Sequence, residues 1–201
     1  AVLAIALFTL AAAPCTAVLR TISENTASAT LVIDAGHGGF DGGAVSERGV
    51  SEQAINLSVA QRVRALACFF GVQTAMTRTD EGALDYDPSR SVRENKVADI
   101  HARERIVQSI SSPVFVSIHL NKFSDPQYHG AQVFYGAVAG SDTCAAAVQQ
   151  ALNETVNAGN EKTSKAIGSD IYIMAHAQCP AILVECGFLS NIGETALLLT
   201  G

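Results

Sequence analysis

The chain has 201 residues, a formal net charge of -6 and 48% hydrophobic residues. That length suffices for one α/β domain with a core of its own. The acidic balance argues against a nucleic-acid partner, which calls for a basic face.

Residues 1–19, AVLAIALFTLAAAPCTAVL, are uncharged, and the first charge is Arg20. An apolar run of this length predicts the core of a signal peptide or a membrane anchor, with "LAAAPC" resembling a cleavage region. The protein is therefore expected to be exported to the cell envelope, or anchored to the membrane through its N-terminus. A buried core helix is the alternative, and the polar linker over residues 20–29 speaks against it. No basic stretch precedes the apolar run, and the last residues, ETALLLTG, read as a helix just begun. Both features carry the expectation of a sequence cut short at its ends.

Residues 30–201 are expected to form one catalytic domain, with no internal repeat or boundary. TLVIDA is an apolar run fit for a buried parallel strand. SEQAINLSVAQRVRALACFFG reads as a helix, with Ser51 as N-cap, an apolar stripe through Ile55, Val59, Val63, Leu66 and Phe70, and Gly71 as terminator. VQTAMTR predicts a second strand, residues 79–95 a loop, and residues 96–109 a helix leading to a third strand, PVFVSIHLN. GAQVFYG predicts a fourth strand, SDTCAAAVQQALNETV a helix, and DIYIM and PAILVE two further short strands. Strands alternating with helices imply an α/β fold, a mostly parallel twisted sheet flanked by helices on both faces. The five cysteines, at 15, 68, 144, 179 and 186, form no CxxC pair. Cys179 and Cys186 bracket a strand that separates them by about 20 Å, far beyond disulfide reach. The cysteines read as small buried hydrophobes.

In such sheets, ligands bind beyond the carboxyl ends of the strands. The first strand runs into Asp34 and His37, the third carries His119 just inside its end, and the last ends in Glu185. Glu52 opens the first helix, one turn-rich loop beyond His37. Two histidines and a carboxylate are the usual ligand set of a hydrolytic zinc, and a second carboxylate can then move protons as general base and acid. Each residue also has a plainer reading. His37 fits a glycine-rich turn, His119 a satisfied strand-end histidine, and Glu52 a first-turn acid favoured by the helix dipole. Glu185 is harder to assign to structure alone, because charge beside a buried strand is costly unless paired or used. GHGGFDGG lacks both GxGxxG spacing and a GK[ST] ending, so its glycines serve a sharp turn better than a phosphate cradle. Backbone amides in this glycine loop are expected to help hold a tetrahedral oxyanion, with bulkier residues at Gly38 or Gly39 as the test.

The ordered motifs IDAGHGGFDGGA, SEQAINL, TR, SIHLN and PAILVECGFLSN resemble the zinc-dependent N-acetylmuramoyl-L-alanine amidases of bacterial cell-wall remodelling, over residues 31–194. The resemblance implies Zn²⁺ as cofactor, His37, Glu52 and His119 as its ligands, and Glu185 as the catalytic glutamate. It implies peptidoglycan as substrate, cut between the lactyl group of N-acetylmuramic acid and L-alanine, and an activating protein partner of the kind several relatives need. KVADIHARERI, SIHLNKF and YIMAHAQCPAILVECGFLSN look like the sporulation-associated branch, which acts on the spore cortex. Lys96, Asp99 and Arg103 match that branch, although a salt-bridged surface helix would use the same residues. Ala35 stands where the family commonly has proline, and the stretch after SIHLN leaves no room for the autoinhibitory helix of some members. The rival readings are a zinc peptidase acting on cell-wall peptides and a non-catalytic wall-binding homologue.

Overall fold

In a computed structural model, residues 29–200 are described. The expected signal or anchor over 1–19, and the linker except for its last residue, lie outside the described residues.

Six strands and five helices follow in the order β1 (Thr30–Ala35), α1 (Glu52–Phe69), β2 (Gln73–Met76), α2 (Val92–Gln108), β3 (Pro113–Asn121), β4 (Gln132–Tyr135), α3 (Ser141–Asn153), β5 (Lys165–Ala166), α4 (Tyr172–Ala175), β6 (Ala181–Phe188) and α5 (Ile192–Thr200). The strands form one sheet in the order β2-β1-β3-β6-β4-β5. β2, β1, β3 and β6 are parallel; β4 runs antiparallel to β6, and β5 pairs with β4.

The sheet is apolar on both faces because helices cover both. Ile33, Ala35, Ile118 and Val184 pack with Leu57 and Ala60 of α1 and Ala145 of α3. Val32, Phe115 and Leu183 point the other way, onto Val107 of α2 and Ile173 and Met174 of α4. This explains the unbroken apolar run of β1: a strand buried on both faces shows no alternation. Among the described residues, no helix is long and apolar enough to cross a membrane.

Three local expectations change. α2 begins at Val92, four residues earlier than its apolar pattern indicates, because Ser91 and Glu94 form a capping box. That S-x-x-E signal was present in the sequence and outranks periodicity at a helix start. DIYIM is not a strand. Ile173 and Met174 are neighbours yet both are buried on one side, which a single helical turn permits and an extended strand does not. The second strand of that region is instead the two-residue β5 at the sheet margin. Ser51 does occupy the N-cap of α1 in extended conformation, but its side chain makes no capping bond.

The parallel arrangement brings the carboxyl ends of β1, β3 and β6 to one edge. Ala35 faces Ile118, and His119 faces Glu185 across adjacent strands. A register shift between His119 and Asn121 follows, as is common where a strand re-aims side chains beside a site.

Candidate metal centre

Asp34, 1% exposed at the end of β1, anchors the centre without entering it. Its carboxylate accepts from Thr77 Oγ1 and Ser117 Oγ at 2.6 Å each, and from Arg103 Nη1 at 2.6 Å. Burial alone would push this carboxyl up; the Arg103 guanidinium and the two hydroxyls hold it below its ordinary value.

Two buried arginines then clamp the chain that leaves β1. Arg103 donates to the carbonyls of Ala35 at 2.8 Å and His37 at 2.5 Å. Arg78 donates to the carbonyls of Ala35 at 2.8 Å, Gly36 at 3.0 Å and Gln53 at 2.8 Å. The clamp holds His37 at φ 62, left-handed backbone that a non-glycine residue rarely adopts. Such strain persists where surrounding bonds over-determine it, and it aims the imidazole inward.

Glu52 reaches the same point from the first residue of α1. Its Oε1 lies 3.2 Å from His37 Nε2 and 3.0 Å from His119 Nδ1. The carboxylate cannot rotate away: Leu120 N and Asn56 Nδ2 donate to Oε1, and Ala44 N donates to Oε2. His119, near the end of β3, lies against Gly36 so closely that a Cβ there would come within 2.3 Å of its ring. A Cβ on Gly43 would meet Glu52 Oε2 at 2.6 Å and His37 at 2.7 Å. The glycines of this loop therefore make room for three side chains.

One ligand atom from each of His37, Glu52 and His119 lies within 4.8 Å of the others. Burial would draw the His37 imidazole down, but Asp41 and Glu52 hold it up at about 9. Burial would likewise raise Glu52, but the imidazoles of His119 and His37 hold it far below the usual carboxylate range. The cluster is a deprotonated carboxylate facing ring nitrogens of two histidines, and once a cation displaces the protons of those nitrogens the three are a donor set that suits zinc.

Glu185 stands beside His119 in register, and its environment is the reverse. Its Oε2 is buried with no hydrogen-bond partner. Burial pushes its carboxyl up to about 7, the His119 and His37 imidazoles oppose that, and Glu52 adds to it. A carboxyl so placed exchanges a proton readily near neutrality. Its neighbour Cys186 is pushed up to about 12 by burial and the adjacent carboxylates, so it stays a thiol.

The four residues expected from the sequence therefore converge on one edge. Of the glycine-loop amides expected to face an oxyanion, those of Gly38 and Gly39 do not: they donate to the carbonyls of Asp41 at 2.9 Å and Glu81 at 2.6 Å. Asp99 and Arg103 are buried and ion-paired at 2.8 Å, not part of a surface helix face, whereas Lys96 is exposed. The sequence reading missed Asp41, whose Oδ2 lies 2.9 Å from His37 Nδ1 and whose Oδ1 lies 2.9 Å from Lys96 Nζ. Asn56 and Arg78, which hold Glu52 and the β1 loop, were missed as well. Asn56 lies in SEQAINL and Arg78 in TR; beyond those motifs their signal was a polar type at a position the helix and strand patterns would bury.

A family model described as N-acetylmuramoyl-L-alanine amidase matches residues 31–200. The germination-specific N-acetylmuramoyl-L-alanine amidase of Bacillus subtilis (strain 168) is 33% identical over 169 residues, covering 84% of this chain and 70% of that protein. The CwlD amidase from Clostridioides difficile, solved in complex with the GerS lipoprotein, superposes with a TM-score of 0.81 at 35% identity, over 85% of this chain and 87% of that one. An N-acetylmuramoyl-L-alanine amidase from Clostridium difficile 630 gives a TM-score of 0.69 at 27% identity, over 86% of each chain.

Proposed function

The chain belongs to the N-acetylmuramoyl-L-alanine amidase family, and from that premise we propose that His37, Glu52 and His119 hold Zn²⁺ while Glu185 moves the proton. The bond cleaved is the amide between the lactyl group of N-acetylmuramic acid and L-alanine in peptidoglycan. The observation that carries the residue assignment is the convergence of three donor atoms within 4.8 Å, with Glu185 facing His119 on the next strand. Zn²⁺ bound by this donor set supplies Lewis-acid polarisation of a carbonyl and acidifies water.

The side chains of this protein do the rest. As the oxygen of a water bonds to the lactyl carbonyl carbon, the Glu185 carboxylate takes the proton it sheds. When the carbon–nitrogen bond breaks, the same carboxyl group returns that proton to the amine of L-alanine. Glu52 and the two imidazoles cannot share this work, because they are turned toward one another by contacts of 3.0 to 3.2 Å.

The similarity to a germination-specific amidase supports action on the spore cortex. The complex of a related amidase with a lipoprotein supports a protein partner for this chain too. A peptidoglycan substrate places the enzyme in the cell envelope, reached through the apolar N-terminal segment as a cleaved signal or an anchor.

Mass spectrometry of peptidoglycan incubated with the zinc-loaded protein tests the reading. Stem peptides with a free N-terminal L-alanine are expected, and Glu185→Gln lowers their yield by at least about a thousandfold, the scale of a lost acid–base group in a concerted site. Shortened peptides still attached to muramic acid would mean a peptidase instead. Wall binding that persists in Glu185→Gln without any product from the wild type would mean a non-catalytic homologue.

A further inference from the structure

One strand away from Glu185 the same sheet edge opens into a cavity of about 750 Å³, within the size range of small-ligand sites. Its place is fixed by register. Gln132, which lines it from β4, pairs with Glu185; Asn121 and Phe188, which also line it, pair with each other at the ends of β3 and β6. Paired residues lie about 5 Å apart, so the cavity begins within one or two residues' reach of the proposed base.

Two lysines line this space. Lys162 Nζ donates to the carbonyls of His129 at 2.7 Å and Gly130 at 2.8 Å, and sits 5.1 Å from the centre of the Phe188 ring. That holds the charge in place and leaves its third N–H uncommitted. Lys165 lines the cavity from β5 and is exposed. Among the described residues neither lysine makes an ion pair at salt-bridge distance. Burial, with Lys165 nearby, outweighs Glu194 and draws Lys162 below its ordinary value. Two acids, Asp125 and Glu161, also line the space, but each accepts from a nearby backbone amide, Gln127 N at 2.9 Å and Gly159 N at 3.1 Å.

Given the amidase reading, on which this inference rests, two parts of the substrate compete for the cavity. The glycan is uncharged here, because its N-acetylated sugars carry no acid once the muramic carboxyl is tied up in the amide. It also continues in both directions and needs an open groove. The stem peptide leaves from the scissile nitrogen and carries free carboxylates within a residue or two of L-alanine. We propose that this cavity is the stem-peptide subsite, in which Lys162 and Lys165 take a carboxylate of the peptide.

The test uses the zinc-loaded chain and three muramoyl tripeptides, each blocked as an amide at its C-terminal carboxyl so that two carboxylates remain in question. One has both carboxylates free, one is amidated at the α-carboxyl of the second residue, and one is amidated at the side-chain carboxyl of the third. Amidating one of the two is expected to lower kcat/KM by about tenfold or more, through KM, as loss of a charge-assisted bond does. Lys165→Met, at an exposed position, is expected to bring that ratio toward one, and Lys162→Met to do the same. Equal kcat/KM on all three substrates, or a ratio that survives in Lys165→Met, would overturn the subsite. Failure of the wild type to cut any of the three would overturn the amidase reading itself and take the subsite with it.

Discussion

Asp41 lies four residues beyond His37 and returns beneath it because Gly38 and Asp41 exchange both backbone hydrogen bonds, at 2.9 and 3.0 Å. The carboxylate then fixes the His37 Nδ1 proton and leaves Nε2 for Glu52 and the ion. Lys96, paired to the other Asp41 oxygen, limits how far that carboxylate can swing. Second contacts of this kind orient an imidazole and raise its basicity. Asp41→Asn is therefore expected to weaken zinc binding by about 10- to 100-fold, measured by competition with a chromophoric chelator, with little loss of thermal stability. Lys96→Met should weaken it less, since its partner stays in place. The pairing of Asp41 with Lys96 was not legible in the sequence, where Lys96 stood out only as matching the sporulation-associated branch and Asp41 is one polar residue in a glycine-rich stretch. The convergence of His37, His119 and Glu185 with Glu52 was legible, because metal-binding and proton-moving types at strand ends and at the first helix start are few and the parallel topology sends them to one edge.

At the scale of elements, α2 matters to the centre as much as the strands do. It delivers Arg103, which is 2% exposed, onto Asp34 and onto the carbonyls of Ala35 and His37. Removing one partner of such a buried pair strands the other charge. Arg103→Met is expected to cost about 3–5 kcal/mol in urea unfolding at pH 7. The pH dependence follows from the depressed Asp34 carboxyl: its contribution is fully present above the ordinary value of 3.8 and is lost as pH falls through its lower folded value. The gap between the wild type and Arg103→Met should accordingly hold as pH falls from 7 to the ordinary value of 3.8 and narrow only below it. Core-facing pattern revealed β1, α1, β3 and β6 because their apolar runs are long. It misread α4 and overlooked β5, a four-residue and a two-residue element whose period cannot be read from so few positions. Arg103 itself could not be read as buried, since apart from Asp99 the groups that satisfy it lie 66 to 69 residues away in the chain.

For the molecule as a whole, the centre is built by protein bonds before any ion arrives. The His37 carbonyl, the Glu52 carboxylate and the loop between them are each held by side chains or amides of other elements. Stripping the protein with a chelator should abolish hydrolysis while leaving its far-UV circular dichroism and cooperative unfolding intact, and added Zn²⁺ should restore turnover. A site organised by the metal itself would lose its fold with the ion.

The two arginine clamps have one more consequence. Because Arg78 follows β2 and Arg103 sits on α2, the backbone that carries His37 cannot part from the sheet unless the packing around both gives way. A surface loop ordinarily breathes by itself, trading its amide hydrogens with solvent long before the core does. Here the Gly38 amide, bonded to the Asp41 carbonyl, should trade its hydrogen for deuterium only as slowly as the central strands do. The loop would then share their single opening event, and its readiness for metal would last as long as the folded state.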